Sequence, residues 1–234
     1  MAEDTFGYWA IKISAAIFFI FLLTLAFPGI ITDYRLVSSE ILMQPWTLIT
    51  HIFLHSVWLH LLYNLSGFIV FGSIAEKLIG TKRFLAVFFI SGIAAGIGGS
   101  FFYASMIGAS GAIFGVLGAL AVIRPRQLVL ALDIPISVIG AVIIYALIDI
   151  ALIFSPDNIA HASHLFGIAA GAIMGLELRA RYPKLREDRN KGESRQENPT
   201  DEELDEWEKK YMVSGITSLS GSRTPLSGKP FCHT

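Results

Sequence analysis

The sequence predicts an all-α polytopic membrane protein, a bundle of six transmembrane helices. Three observations lead there. Hydrophobic residues make up 53% of the 234 residues and charged residues only 16%, with a mean hydropathy of +0.59; a soluble domain of this length carries more charge on its surface. Six apolar runs reach or approach the roughly 20 residues that a helix needs to cross a hydrocarbon core about 30 Å thick. Lys and Arg gather in alternate connectors, the pattern by which short loops set membrane orientation. Residues 1–180 are therefore expected to form one membrane-embedded domain and 181–234 a polar tail. The net charge of −1 gives no footing for a nucleic-acid partner. Cys232 is the one cysteine, which excludes an intrachain disulfide and a Cys-based zinc site.

The first run, Ile13–Ile31, follows Met-Ala-Glu-Asp; that start is not the basic opening of a signal peptide, and the run is too long for one. The second and third runs, His55–Ala75 and Phe84–Tyr103, are separated by Glu76, Lys77, Lys82 and Arg83. The fourth, Ser110–Ile123, is closed by Arg124-Pro125-Arg126. The fifth, Ile134–Phe154, ends at Ser155-Pro156-Asp157-Asn158, a turn signal, and the sixth is Ile159–Leu176. From Arg179 the chain is rich in Glu, Lys, Arg, Ser and Gly and reads as a largely disordered tail. The connectors with Lys77, Lys82, Arg83, Arg124 and Arg126, and the tail with Arg179, Arg181, Lys184 and Arg186, belong on the cytoplasmic side. Both termini are then cytoplasmic, and the protein is a multi-pass component of the cell membrane. The connector Thr32–Thr50 lies outside; at about 19 residues it is long for a connector, and its Tyr34 and Trp46 suit a membrane interface.

Within this apolar chain, "IGASGAIFG" (107–115) sets a hydroxyl among glycines. Small residues and Ser also serve plain helix packing, so the position of the cluster has to decide. From Ser110 to the cytoplasmic end at Ile123 is about 14 residues, or roughly 21 Å of helix. Ser110 then lies on the order of 9 Å below the outer surface of the core. His164, about six residues into the sixth run, falls at roughly the same depth. So does Asn64 in the second run, with His60 one turn above it, at roughly 10–12 Å. Gly108 and Gly111 permit a tight turn and a close backbone approach, and Ser110 stands where free helix N–H groups favour an anion. A serine hydroxyl becomes a competent nucleophile when a base takes its proton, and histidine does so near neutral pH. An acyl-transfer intermediate needs fixed donors for its oxyanion; the Ser110 N–H, the Asn64 amide and His60 are the candidates. Gly167, Gly171 and Gly175 recur at four-residue spacing and give the sixth helix a smooth face for the fourth, with its Gly111, Gly115 and Gly118.

The motifs "HIFLHSVWLHLLYN" (51–64), "FGSIAEKLIG" (71–80), "GASGAIFG" (108–115) and "HASHLFGIAAG" (161–171) resemble, in order and spacing, those of the rhomboid intramembrane serine proteases. The resemblance covers about residues 11–178 and implies a six-helix bundle of the rhomboid type. It implies Ser110 as nucleophile and His164 as base, acting as a dyad, with Asn64, His60 and the Ser110 N–H as oxyanion hole. It implies single-span membrane proteins as substrates, cut in or near their spans, and neither cofactor nor metal. Gly108, Gly111, Phe114 and Gly167 support the site. Two positions depart from the family pattern: Trp46-Thr47 stands where Trp-Arg is common, and Phe114 where many members carry Tyr. At i+4 Phe114 shares a face with Ser110 and can stack on the imidazole without a hydroxyl.

Other polar residues have plainer readings. His51 and His55 have the i, i+4 spacing of metal ligands but no acidic third ligand nearby; they are expected to hydrogen-bond within the first loop and second helix, or to wet the entrance. His161 is expected at the surface or the substrate entrance, and Glu76 to anchor the Lys82/Arg83 connector. The tail segment "DEELDEWEKK" reads as a solvated, partly helical stretch. Asp149 is the one acid well inside a run, and three roles stand open for it. It bonds His161 or His164 as a third triad member, it hydrates the entrance, or it stays protonated and bonds a neighbouring helix. An inactive relative that binds membrane proteins without cutting them is the alternative function; such relatives usually lose the Ser or the His, and this chain keeps both. A transporter would show internal repeats or paired broken helices, and the halves show no repeat.

Overall fold

A computed structural model describes residues 6–131, 134–182 and 185, all within one compact unit, Met1–Glu187. The tail beyond that unit, with "DEELDEWEKK" and Cys232, lies outside the described residues. The long helices are α1 (Trp9–Ala26), α2 (Trp58–Ile79), α3 (Thr81–Gly99), α4 (Ser110–Ile123), α5 (Val138–Leu152) and α6 (His161–Arg181). Two short strands, β1 (Leu36–Val37) and β2 (Ser105–Met106), pair antiparallel across the loops before α2 and α4. A hairpin of β3 (Leu128–Ala131) and β4 (Ile134–Ser137) precedes α5. Among the described residues, α1, α2 and α3 are long and apolar enough to cross a membrane unaided, whereas α4 and α5 are shorter apolar helices. Of the six runs expected to reach or approach spanning length, these three meet length and hydropathy together; α6, at 21 residues, is long enough but more polar.

Local chemistry explains where the helix limits depart from the apolar runs. The first helix stops at Ala26, because Pro28 lacks an N–H and crowds the preceding turn; a separate turn of helix, Gly29–Tyr34, follows. The second helix starts at Trp58, not His55, and runs on to Ile79 through a π-helical turn at Phe68–Gly72. Such a turn inserts one residue into the helix, and its Gly72 faces Ala10 of α1. Gly80, with φ +81°, ends α2 and lets α3 begin at Thr81, so the third run is displaced toward the N-terminus. The fifth helix does not begin at Ile134: Ile134–Ser137 is a strand, and Pro135 together with β-branched Ile134 and Ile136 favours that extended form. Ser137 then caps α5 by accepting the N–H of Gly140 at 3.2 Å. The sixth helix continues past Leu176 to Arg181, where charged ends reach the polar boundary.

Burial follows a membrane logic. On α1 the buried stripe is Ala10, Ile13, Ser14, Ile17, Phe21 and Thr24, while Ile11, Phe18, Phe19, Leu22 and Leu25 are exposed. A helix apolar all round belongs in a low-dielectric surround. In α4, eleven of the 14 residues are buried, so it is the central helix. One end of the molecule collects the basic residues. Arg179 donates to the Val122 carbonyl at 3.1 Å, and the Arg83 guanidinium lies 4.2 Å from the Tyr182 ring centroid. At the same end the Glu76 carboxylate accepts from the N–H groups of Gly7, Trp9 and Ala10, each at 3.1 Å, and from the Thr81 hydroxyl at 2.7 Å. Glu76 is thus the N-terminal cap of α1, where an anion meets free N–H groups, and its bond to Thr81 also ties it to the connector before α3.

Candidate active site

The opposite end carries the polar cluster, and the backbone before α4 is built first. The main chain at 104–109 cannot be left unpaired at membrane depth. It is satisfied by the first loop: β2 pairs with β1, Ser38 N–H donates to the Ala104 carbonyl at 3.0 Å, and Gly108 N–H donates to the His51 carbonyl at 2.8 Å. Gly108 has φ +120°, a conformation side chains rarely adopt, and a Cβ there would sit 2.8 Å from the His60 ring. This strap delivers Ser110 to the first residue of α4.

Glycine then sets how close α6 comes. A Cβ at Gly167 would fall on the Gly111 carbonyl, one at Gly171 on the Gly115 carbonyl, and one at Gly118 on the Ile168 carbonyl. The two backbones are in direct contact. That contact places the Ser110 hydroxyl 2.9 Å from His164 Nε2, which is hydrogen-bond distance. Phe114 stacks flat on the His164 ring, with centroids 4.2 Å apart and planes 4° from parallel, and meets Tyr145 edge-on at 5.6 Å. The ring can pivot little in that slot.

Asn64, His60 and His55 form a second group beside Gly108. The Asn64 amide donates to the His60 carbonyl at 2.8 Å, and its Oδ1 has no partner among the described residues. Its second amide hydrogen is left for another acceptor. Among the described residues no hydrogen bond joins Asn64 or His60 to Ser110; the connection runs through Gly108, against which the His60 ring packs. His55 is fully buried, 4.9 Å from the His60 ring centroid, with neither ring nitrogen bonded among the described residues. His51 does hydrogen-bond within the first loop, Nδ1 to the Thr47 carbonyl at 2.8 Å, and burial pushes its pKa down to about 4.

His161 was underestimated from sequence. His161 is 3% exposed, not a surface or entrance residue. Its Nδ1 lies 2.6 Å from Asp149 Oδ1 and its Nε2 3.0 Å from Asp157 Oδ2. The same Asp149 Oδ1 lies 3.0 Å from His164 Nδ1. Tyr103 holds this corner, its hydroxyl accepting from Ala162 N–H at 3.0 Å and donating to the Ile153 carbonyl at 3.2 Å. The sequence signal for the pair was the i, i+3 spacing of His161 and His164, which puts both on one helix face. Ligand atoms of Asp149, His161 and His164 all lie within 4.8 Å of one another, the one group of this kind among the described residues. The 2.6 Å separation is a hydrogen bond, shorter than the roughly 3.3 Å edge between donors around one zinc ion.

An apolar-surfaced helical bundle with polar side chains gathered inside, near one end, defines a polytopic membrane protein with an interior site. The chain belongs to the rhomboid family: the family model described as Rhomboid domain matches residues 42–181. It is 34% identical over 135 residues to YdcA of Bacillus subtilis (strain 168), covering 55% of this chain and 65% of that protein. It is 34% identical over 129 residues to the rhomboid protease GluP of the same organism, covering 54% and 24% respectively. With the rhomboid protease GlpG of Yersinia pestis (strain Pestoides F) the identity is 28% over 138 residues, covering 58% and 49%. The chain thus spans less than two thirds of the length of each of these relatives.

Proposed function

We propose that this protein is an intramembrane serine endopeptidase that cuts single-span membrane proteins in or near their transmembrane segments. The observation that carries the reading is the 2.9 Å contact between the Ser110 hydroxyl and His164 Nε2, made between two motifs that match the family in order. In this mechanism His164 Nε2 takes the Ser110 proton as Oγ attacks the scissile carbonyl. The oxyanion is received by the Ser110 N–H, by the free hydrogen of the Asn64 amide and by His60. His164 then returns the proton to the leaving amine, and water hydrolyses the acyl-enzyme by the same route in reverse. Gly108 and Gly111 shape the approach to Ser110, Gly167 sets its distance from the base, and Phe114 holds the imidazole plane. The chemistry asks for no metal and no cofactor.

The protease domain is proposed as residues 1–180 in six spans of the cell membrane, with the polar tail 181–234 and both termini cytoplasmic. The basic residues gathered at the end opposite Ser110 support that orientation. The deciding experiment is cleavage of a reconstituted single-span substrate by purified protein. Ser110→Ala and His164→Ala are each expected to abolish it, and a chelator to leave it unchanged. Retained activity in either variant, or loss with EDTA, overturns the assignment. For orientation, an impermeant thiol reagent is expected to label a cysteine placed at Ser39 in intact cells and to miss Cys232 until the membrane is opened.

A further inference from the structure

The hydrogen bonds around Asp149 extend the site beyond two residues. Asp149 is 4% exposed, and its Oδ1 stands between the Nδ1 atoms of His161 and His164 at 2.6 and 3.0 Å. A carboxylate oxygen can accept from both. If His164 Nδ1–H donates there, the lone pair of His164 is on Nε2, the nitrogen 2.9 Å from the Ser110 hydroxyl. A buried carboxylate is costly without a positive partner, and His161 has the position to supply one. Both its ring nitrogens face carboxyl oxygens, Asp149 Oδ1 and Asp157 Oδ2. A neutral imidazole carries one N–H and satisfies only one of them as donor; an imidazolium satisfies both. From the other side, the hydrogen bond from His161 holds the Asp157 carboxyl below the usual carboxylate range. The groups lie on three elements, the end of α5, the turn before α6 and the first turn of α6, and the Tyr103 hydroxyl clamps two of them together.

We propose that Asp149, charge-balanced by a His161 imidazolium that Asp157 holds from the other side, is a positioning residue that fixes the tautomer and orientation of His164. The site is then a chain, Asp157–His161–Asp149–His164–Ser110, leading from the protein surface to the nucleophile. The proposal rests on the protease reading only for its kinetic arm.

The test uses the full chain in detergent micelles. Asp149→Asn keeps the shape and removes the charge; it is expected to lower kcat by ~10²-fold or more, since uncoupling a triad acid from its histidine costs up to ~10⁴. KM is expected to stay within about threefold, because the effect falls on the transition state. Asp149→Glu restores part of the loss. His161→Gln lowers kcat too, and adding it to Asp149→Asn costs no further activity, as members of one unit are not additive. A merely structural role predicts instead additive losses that follow thermal stability. Activity of Asp149→Asn within about threefold of the parent, additive double-variant losses, or a stoichiometric bound metal ion in the purified protein each overturn the proposal. An independent arm needs no substrate: in ¹⁵N-histidine NMR of the Ser110→Ala protein, His164 is expected as a single Nδ1–H tautomer. Comparable population of both tautomers refutes the relay. A parent protein that cuts no single-span substrate refutes the protease reading alone, leaving the relay to the NMR result.

Discussion

Replacing Gly167 by Ala tests whether backbone contact between α4 and α6 sets the distance between Ser110 and His164. A Cβ at 167 falls on the Gly111 carbonyl, and a carbon atom rests no closer than roughly 3.3 Å to a carbonyl oxygen. The two helices must part by on the order of 1 Å to admit the methyl. Gly167 lies three residues past His164, and Gly111 one residue past Ser110, so the displacement reaches the pair almost undiminished. The 2.9 Å contact opens to about 4 Å, outside hydrogen-bond range. A misplacement of about 1 Å can lower turnover by ~10²-fold, equivalent to about 2.7 kcal/mol of barrier. Overpacking alone also removes about 1–3 kcal/mol of stability. Gly175→Ala is the matched control. Its Cβ would approach the Ala119 carbonyl at 2.9 Å, a milder conflict, and it lies about 16 Å of helix beyond His164. The assay measures cleavage of a single-span peptide in micelles beside thermal unfolding in the same detergent. Gly167→Ala is expected to lose about two orders of magnitude in kcat, and Gly175→Ala less than about threefold. Wild-type turnover in Gly167→Ala refutes the argument, because the pair would then not depend on glycine contact.

Three further outcomes follow from particular contacts. Asn64→Ala removes a proposed oxyanion donor and is expected to lower kcat by ~10²–10³-fold; an effect confined to KM would show that Asn64 only binds substrate or packs. Glu76→Gln turns one acceptor of the α1 cap into a donor that faces N–H groups, and charged hydrogen bonds are worth about 1.5–3 kcal/mol each, so a loss of about 2–4 kcal/mol is expected in unfolding; unchanged stability contradicts the capping role. His51, whose pKa burial lowers from 6.5 to about 4, folds neutral while the unfolded chain takes up a proton as the pH falls below 6.5. Stability is therefore intact above pH 6.5 and is lost between 6.5 and about 4, by roughly 3 kcal/mol. In His51→Gln this part of the acid limb is expected to flatten; an identical acid limb in both proteins refutes the linkage.

Much of the architecture was determined by the sequence alone, because the membrane leaves few solutions. Long runs without charge must become helices, since lipid offers no partner for an open backbone. For that reason Ser110–Ile123 was legible to the residue, bounded by a small-residue turn before it and Arg124-Pro125-Arg126 after it. The repeats at Gly111, Gly115, Gly118 and at Gly167, Gly171, Gly175 announced their contact, because three- and four-residue spacing lines one helix face. Less was legible wherever local chemistry competes with hydropathy. Ile134–Ser137 continues the apolar run of the helix it precedes, and its Pro135 and β-branched isoleucines, with pairing to Leu128–Ala131, make it a strand. Glu76 sits beside Lys77 in sequence, yet its backbone partners are Gly7, Trp9 and Ala10, far back along the chain. His161 looked peripheral because it lies at a helix start, and a helix start is a surface only if nothing covers it. Here the end of α5 and the turn at Asp157 close over it and set a carboxylate against each ring nitrogen. Hydropathy and motif are properties of consecutive residues and can be read along the chain. Whether a buried charge finds its partner is a property of where separate helices end, and only the tertiary structure decided that.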